Sequence, residues 1–186
     1  MSIDELLLNG EEKMEKALNS LKKEFGSIRT SRANPLILDK VVVDYYGVPT
    51  PLRQISQVSV QDGQTLVITP YDKSIIKEIE KAMIKAELGI TPNSDGMVIR
   101  LTFPPLTEDR RKEIVKDVKK IAEEAKVAVR NIRRDMTDNL KKLEKSDNLP
   151  EDTVKDTQEE IQKLTDKYIK IVDSTTSEKE KEVLTV

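Results

Sequence analysis

The sequence predicts an α+β protein in which a long antiparallel three-helix bundle carries a small β-rich unit, inserted between its first two helices. Three observations support this fold class. Residues 107–145 contain neither Gly nor Pro and repeat apolar side chains at steps of three and four, the period of one helix face. Residues 3–29 and the segment after Pro150 show the same period. Residues 36–103 instead contain β-branched runs separated by Gly, Pro and Asp, which is typical of short strands and turns.

The first helix is predicted over residues 3–29. Ser2 and Glu5 have the spacing of a capping box, in which each side chain accepts a hydrogen bond from the other residue's backbone N–H. A polar, basic connector follows this helix. It ends at Pro35, which biases Asn34 away from helical backbone angles, so the helix cannot continue through it.

The inserted unit contains four predicted strands and one predicted helix. The strands are expected over residues 40–46, 55–60, 65–69 and 97–103, with a turn at 61–64 between the second and third strands. The helix is expected over residues 73–87, with Asp72 as its N-cap and Gly89 as its C-cap. Pro104 and Pro105 end the unit.

The third long helix is predicted to begin at Pro150, because proline suits the first position of a helix. At about 1.5 Å per residue the second helix would be roughly 60 Å long, and it needs partners along its whole apolar stripe. None of the three helices can bury its stripe alone, whereas three together can. We therefore expect a discontinuous bundle domain of residues 1–30 and 106–186, and an inserted domain of residues 31–105.

The two chain crossings between these predicted domains form a candidate hinge. Both crossings are short and contain proline, which limits twisting but permits bending. An alternative is one continuous globule with a rigid interface. The candidate hinge residues are Arg29, Thr30, Ser31, Arg32, Pro35, Pro104 and Pro105.

Composition argues against an enzyme. The chain has no Cys and no His, its six Gly are scattered, and its carboxylates fall mostly on predicted helix surfaces. A nucleophilic thiol, the commonest acid–base group and a glycine-rich phosphate loop are therefore absent. We expect no metal and no cofactor. No apolar run approaches the length of a membrane span, so we expect a cytoplasmic protein without a membrane partner.

The charges of the second long helix are sorted by sign. Residues 106–145 carry 13 basic and 9 acidic side chains, in a chain whose net charge is −2. On a helical wheel the basic ones lie on one flank of the apolar stripe and the acidic ones on the other. This sorting indicates a strip that binds a polyanion. The alternative is a solvated face with pairs at i,i+4, such as Arg134 with Asp138. The basic flank consists of Lys112, Lys116, Lys119, Lys126, Arg130, Arg133, Arg134 and Lys141; the acidic flank consists of Glu113, Asp117, Glu124, Asp135 and Asp138.

The chain resembles ribosome recycling factors over its full length, and five stretches carry the resemblance. They are IRTSRANP (28–35), VDYYGVPTPLRQI (43–55), KAMIKAELGITPNSDG (81–96), PPLTEDRRKEIVK (104–116) and VAVRNIRRDM (127–136). The commonest form of the first stretch in that family has Gly where this chain has Ser31.

The resemblance implies an L-shaped molecule whose arms are the helical bundle and a β/α/β domain. It implies binding to the bacterial ribosome after termination, where elongation factor G and GTP hydrolysis help to separate the subunits and release mRNA and deacylated tRNA. The bundle would lie along RNA of the large (50S) subunit, with Arg110, Arg130 and Arg133 as contacts.

The residues and the resemblance together predict a monomeric, non-catalytic RNA-binding translation factor. A second hypothesis is an interaction module whose helical stripes dimerise or bind partner helices; a hydrolase that works through carboxylates is a third, discounted one. The predicted RNA-binding residues are Arg110, Lys112, Lys116, Lys126, Arg130, Arg133 and Arg134.

Overall fold

The computed structural model describes residues 1–185, which divide into two compact units. The helical unit comprises Met1–Phe25 and Lys112–Glu182, and the sheet unit comprises Gly26–Arg111 with residues 183–185. The boundaries predicted from sequence, after residues 30 and 105, both lie inside the sheet unit.

The elements confirm the α+β class, with long helices in one unit and short strands in the other. Two short 3-10 helices, Pro35–Lys40 and Lys73–Ile75, supplement them. The α-helices are α1 (Ile3–Gly26), α2 (Leu52–Ile55), α3 (Ile76–Lys85), α4 (Glu108–Asp147) and α5 (Glu151–Leu184); the strands are β1 (Val42–Tyr45), β2 (Val48–Pro51), β3 (Ser56–Gln61), β4 (Thr65–Pro70), β5 (Asn93–Ser94) and β6 (Ile99–Thr102).

The start of α1 is as predicted, and its end is earlier. The Ser2 amide donates to Glu5 Oε2 at 3.3 Å and the Glu5 amide donates to Ser2 Oγ at 3.1 Å, which completes the capping box. The prediction that this helix extends to residue 29 is wrong. It ends at Gly26, because the Asn34 side-chain amide donates to the Gly26 carbonyl at 2.9 Å and occupies an acceptor at the helix end.

The ends of the other long helices are also set by caps. The Thr107 hydroxyl accepts from the Arg110 amide at 3.1 Å, so Thr107 caps α4 and does not belong to it. The prediction that Pro150 is the first residue of α5 is wrong by one position. The Pro150 carbonyl accepts from the Val154 amide at 3.1 Å, which makes it the residue that precedes the helix.

The long helices contact one another in all three pairs and so form a bundle. Gly10 of α1 lies so close to α4 that a Cβ atom there would overlap the Met136 side chain. The Tyr168 hydroxyl of α5 donates to Glu11 Oε1 of α1 at 3.5 Å. An ion pair between Lys126 and Asp173 joins α4 to α5. The apolar stripes are buried within the bundle and are not available to a partner helix.

The buried face of α4 is shifted from the predicted stripe. Ala122 and Val129 are buried, at 4% and 0% exposure, whereas the predicted Ile121 and Ala128 are only half-buried. The reason is that α4 packs against two helices. Its buried face extends toward α5, which no property of α4 alone specifies.

The sheet unit is built on a four-stranded antiparallel sheet of order β3-β4-β6-β5, and β1 and β2 form a separate hairpin. One face of the larger sheet supplies Leu66, Ile68, Ile99 and Leu101 to the core, each at 0% exposure. The hairpin, α2, α3 and the first 3-10 helix cover that face with further aliphatic side chains.

Several local predictions for this unit are wrong. The segment before Val41 is a 3-10 helix and not the start of a strand, because Asn34 Oδ1 accepts from the Leu36 amide at 3.0 Å and Pro35 preorganises the first turn. Residues 48–51, for which no strand was predicted, form strand β2; its two prolines are tolerated because a two-stranded sheet consists only of edges.

The predicted helix over residues 73–87 is divided. Asp72 Oδ1 accepts from the Ser74 amide at 3.0 Å as predicted, but it caps a 3-10 turn that precedes α3. The helix ends at Lys85, and the first left-handed residue after it is Glu87, with φ 51°, and not Gly89. The short elements α2 and β5 were not predicted.

Candidate nucleic-acid interface

The densest part of the basic flank of α4 forms one compact surface. Arg130, Arg133 and Arg134 are spaced at i, i+3 and i+4, so their side chains lie on adjacent turns of one helix face. Arg130 and Arg134 are exposed and Arg133 is half-buried. We call these three residues the arginine surface.

The arginine surface has no partner inside the described part of the chain. None of its three guanidinium groups makes a hydrogen bond or an ion pair with another described residue. In particular, the alternative pair of Arg134 with Asp138 is not formed. Lys116, exposed on the same flank of α4, is likewise unpaired among residues 1–185. These cations are therefore available to an anion outside the molecule.

Lys126 lies on the same flank but is engaged differently. Its ammonium pairs with Asp173 of α5 and, at 3.5 Å, with Glu123 of its own helix, and its side chain is only 18% exposed. The hydrogen bond with Asp173 raises the pKa of Lys126, and partial burial opposes that effect. The structure thus separates Lys126 from the free cations and gives it the role of a link between helices.

The position of Lys126 also explains the partial burial of Arg133. The two residues are seven positions apart, which is two helical turns, so they lie on the same side of α4. Because Lys126 contacts α5, Arg133 lies along the α5 side as well. Arg133 as a whole is half-buried, so part of its surface remains exposed.

The acidic flank of α4 lies toward α1. Asp135 and Met136 of α4 line a cavity of about 180 Å³ together with Lys13 and Lys16 of α1. Asp135 of the acidic flank thus lies beside lysines of α1, and Lys126 of the basic flank contacts α5. The sequence gives the sorting of charge around α4, but it contains no signal that assigns each flank to a neighbouring helix.

Arg110 and Lys112 lie at the start of α4 and are exposed. Both residues take part in interactions within the chain, so they differ from the unpaired arginine surface. Arg110 also belongs to the sheet unit, whose first segment is Gly26–Arg111.

The candidate hinge residues make a set of contacts inside the sheet unit. Arg29 Nη2 donates to the Pro104 carbonyl at 3.3 Å, which joins the two chain crossings. Thr30 is 1% exposed, and its hydroxyl accepts from the Arg32 amide at 3.3 Å. The hydroxyl of Ser31 is buried without a hydrogen-bond partner in the described structure.

Two further kinds of site were searched for in residues 1–185. No group of three or more His, Cys, Asp or Glu side chains there could hold a metal ion. None of the helices in this range is both long enough and apolar enough to cross a membrane.

Comparison with known proteins identifies the family. The family model described as "Ribosome recycling factor" matches residues 21–184, which include the end of α1 and all of α4 and α5. The chain belongs to the ribosome recycling factor family. The ribosome-recycling factor of Bacillus subtilis is 56% identical over 182 residues, which are 98% of this chain and 98% of that protein. The Bacillus velezensis protein of the same name is 55% identical over 183 residues, 98% of this chain and 99% of its own.

Solved structures of ribosome recycling factors have the same fold. A solution structure of the ribosome recycling factor aligns with a TM-score of 0.82 at 38% identity, over 100% of this chain and 99% of the other. A second structure describes the T. thermophilus ribosome recycling factor and the E. coli elongation factor G bound to the E. coli post-termination complex. It aligns with a TM-score of 0.69 at 43% identity and covers both chains completely.

Proposed function

We propose that this protein binds the bacterial ribosome after termination and, together with elongation factor G and GTP, separates the subunits, so that mRNA and deacylated tRNA are released. The unpaired arginine surface on α4 carries this proposal for a member of the ribosome recycling factor family. A relative of 43% identity is described with elongation factor G on a post-termination complex, which supports the same two partners here.

The arginine surface suits RNA of the large subunit. A guanidinium is planar and always charged, and it donates two parallel hydrogen bonds to one phosphate. Structured RNA presents phosphates in rows along its grooves, so cations held on a rigid helix can meet several phosphates at once. Lys116 lies about 20 Å along the same helix and adds a further contact at the usual rise per residue.

The protein itself takes no catalytic part in this proposal. The chain has no His and no Cys, and GTP hydrolysis by elongation factor G supplies the energy of splitting. The protein acts in the cytoplasm, binds no cofactor and contributes binding energy and mechanical coupling only.

The binding experiment compares cations on one flank of α4 that have different partners within the chain. Arg130→Met and Arg133→Met should each weaken binding to purified 50S subunits by about 1–3 kcal/mol, because each loses a charge-assisted hydrogen bond to phosphate. Lys126→Met is the matched control: it removes a cation from the same flank, but one already held by Asp173. We expect it to leave affinity nearly unchanged and to lower the free energy of unfolding by less than about 1 kcal/mol.

Salt provides an independent readout of the same contacts. Neutralised phosphates release counterions, so the affinity of the wild type should fall steeply as salt is raised. Arg130→Met and Arg133→Met should make that slope shallower, and Lys126→Met should not. Equal losses of affinity in all three correctly folded variants would argue against the arginine surface as the contact with RNA.

We also propose that the chain crossings around Arg29–Pro35 and Pro104–Pro105 act as a hinge during splitting. The bond between Arg29 and Pro104 ties the crossings together, so they would move as one element. A crosslink that holds the two units in one arrangement should preserve ribosome binding and abolish splitting by elongation factor G and GTP. Full splitting activity in the crosslinked protein would rule the hinge out.

A further inference from the structure

The turn between β3 and β4 binds two distant parts of the chain. It is the turn predicted from the sequence, and the Gln64 amide closes it by donating to the Gln61 carbonyl at 3.3 Å. The Gly63 carbonyl accepts from the Ala33 amide at 2.9 Å. The next carbonyl, that of Gln64, accepts from the Phe103 amide at 2.8 Å. Two successive carbonyl groups of one turn therefore hold residues that are far apart in the chain.

Both bound residues belong to the chain crossings or adjoin them. Ala33 lies in the first crossing and is 9% exposed. Phe103 directly precedes Pro104 of the second crossing and is 1% exposed. The crossings are also joined to each other, through the hydrogen bond from Arg29 Nη2 to the Pro104 carbonyl. The turn and the two crossings thus form a closed set of three contacts, all within the sheet unit.

We call residues 61–64 the anchor turn, and it makes these contacts with its backbone. All four of its residues are exposed, and a Cβ atom on Gly63 would meet no described atom within 4 Å. Asp62 and Gly63 have positive φ angles of 54° and 69°, which aspartate and glycine tolerate far better than a β-branched residue does. The contacts with the crossings therefore depend on the backbone conformation of these two residues, because that conformation directs the carbonyl groups.

The turn between β1 and β2 also has two successive residues of positive φ, but it makes no such contacts. Tyr46 and Gly47 have φ angles of 51° and 82°, and a Cβ atom on Gly47 would likewise meet no described atom within 4 Å. Neither residue makes a backbone hydrogen bond to a chain crossing among residues 1–185. The sheet unit thus contains two comparable turns, and a comparison between them separates backbone strain in a turn from loss of the contacts.

We propose that the anchor turn positions the two chain crossings for ribosome splitting, by holding both of them on the sheet as one element. This inference rests on the hinge proposed above. When the sheet unit is displaced, both crossings follow it together because each is bound to the same turn. Gly63 and Gln64 are positioning residues that act through their carbonyl groups, and this role requires no contact with the ribosome.

Amide hydrogen exchange tests the anchor in the isolated protein. Gly63→Val places a β-branched residue at positive φ without a steric clash, so the turn should change its backbone and release the crossings. The Ala33 and Phe103 amides should then exchange at least about tenfold faster than in the wild type, while the Ile68 amide of β4 keeps its rate. Gly47→Val, which imposes the same strain in the other turn, should leave these rates unchanged.

Ribosome splitting tests the role of the anchor. With saturating elongation factor G and GTP, Gly63→Val should split ribosomes at least about fivefold more slowly than the wild type, and its affinity for purified 50S subunits should stay within about twofold. The reason is that the arginine surface is unchanged, whereas the crossings no longer follow the sheet together. Gly47→Val should split ribosomes at the wild-type rate. Gly63→Asn should do so as well, because asparagine tolerates positive φ.

A second variant removes one contact without straining the turn. Lactic acid in place of Ala33 converts its amide to an ester and so deletes the N–H that donates to Gly63. Splitting should slow, although less than in Gly63→Val, because Phe103 stays bound. Lactic acid in place of Ala86, whose amide donates to the Ala82 carbonyl in α3, is the matched control and should leave splitting unchanged.

The proposal would be overturned by wild-type splitting in a Gly63→Val protein whose Ala33 and Phe103 amides are released. Unchanged exchange of these amides would overturn it too, and so would an equal loss of splitting in Gly47→Val. Failure of the anchor and failure of the hinge give different results. If the crosslink between the units abolishes splitting while Gly63→Val does not slow it, the hinge stands and only the anchor fails; if the crosslinked protein splits ribosomes fully, both fail.

Discussion

The two units of this protein use polar side chains in opposite ways. In the helical unit the helix backbone satisfies its own hydrogen bonds and needs no side chains for this. Cations on the flank of α4, such as Arg130 and Arg134, have no partner among the described residues. In the sheet unit the turns depend on side chains. Asp95 accepts hydrogen bonds from the amides of Met97 and Val98 and from the guanidinium of Arg100, at 2.9, 3.0 and 2.8 Å.

This difference shows where binding charge can be placed at little structural cost. A long helix keeps its fold when a surface arginine is exchanged, because the apolar stripe and the backbone ladder hold it. A turn loses backbone partners when its Asp is exchanged. A charged binding surface such as the arginine surface can therefore lie on a long helix without loss of the fold.

The largest expected effect comes from truncating a buried core side chain in one unit at a time. Ile68→Ala in β4 and Leu140→Ala in α4 both truncate side chains at 0% exposure, and each should lower the free energy of unfolding by about 2–5 kcal/mol. Tyrosine emission reports mainly on the sheet unit, which contains Tyr45, Tyr46 and Tyr71, and helical circular dichroism reports mainly on the bundle.

In urea, Ile68→Ala should shift the tyrosine transition more than the helical one, and Leu140→Ala should do the reverse. Val127→Ala, at a position 50% exposed on α4, is the control and should shift neither by much. Identical shifts of both signals in both variants would show that the two units unfold together in one transition. The two units would then have no separate stabilities to compare.

A smaller effect is expected where α1 approaches α4. Gly10 is buried, and any side chain there meets Met136. Gly10→Leu should lower the free energy of unfolding by about 1–3 kcal/mol through overpacking, measured by urea denaturation. Met136→Ala in the same chain should restore part of this loss, because it vacates the space that the leucine needs. Absence of any rescue would place the damage elsewhere in α1.

The smallest effect concerns the turn at Asp95. Hydrogen bonds from the Val98 amide, then from Arg100 and the Met97 amide, hold the pKa of Asp95 well below its ordinary value of 3.8. A depressed pKa in the folded state means that the carboxylate stabilises the fold above pH 4 and that this contribution is lost as pH falls below it. Asp95→Asn should therefore lower the urea midpoint of the tyrosine signal slightly at pH 7. Near pH 3 the difference from the wild type should shrink; a constant difference would contradict the assignment.

The sequence predicted the helical unit better than the sheet unit, and particular residues show why. The start of α1 at Ser2 and Glu5, the extent of α4 and the sorted charges all follow from spacings within one segment. The end of α1 at Gly26 does not, because it depends on Asn34, eight positions later in an irregular segment. The family resemblance, confirmed by the comparisons, came from short motifs in both units.

The missed elements of the sheet unit share a cause. Strand β2 contains two prolines and forms only because Val42–Tyr45 lies opposite it. Strand β5 is two residues long and depends on β6. Neither has an internal pattern strong enough to specify a strand, since pairing with another segment supplies the hydrogen bonds.

By itself the sequence determined the fold class, the three long helices, the basic flank of α4 and the family. These follow from local periodicity, from the order of residue types and from contiguous motifs. Only the tertiary structure decided which cations of that flank are free. Lys126 and Arg130 are alike in sequence terms, but the register between α4 and α5 brings Asp173 to Lys126 and leaves Arg130 without a partner among residues 1–185. This outcome depends on residues that are distant in the chain and adjacent in space.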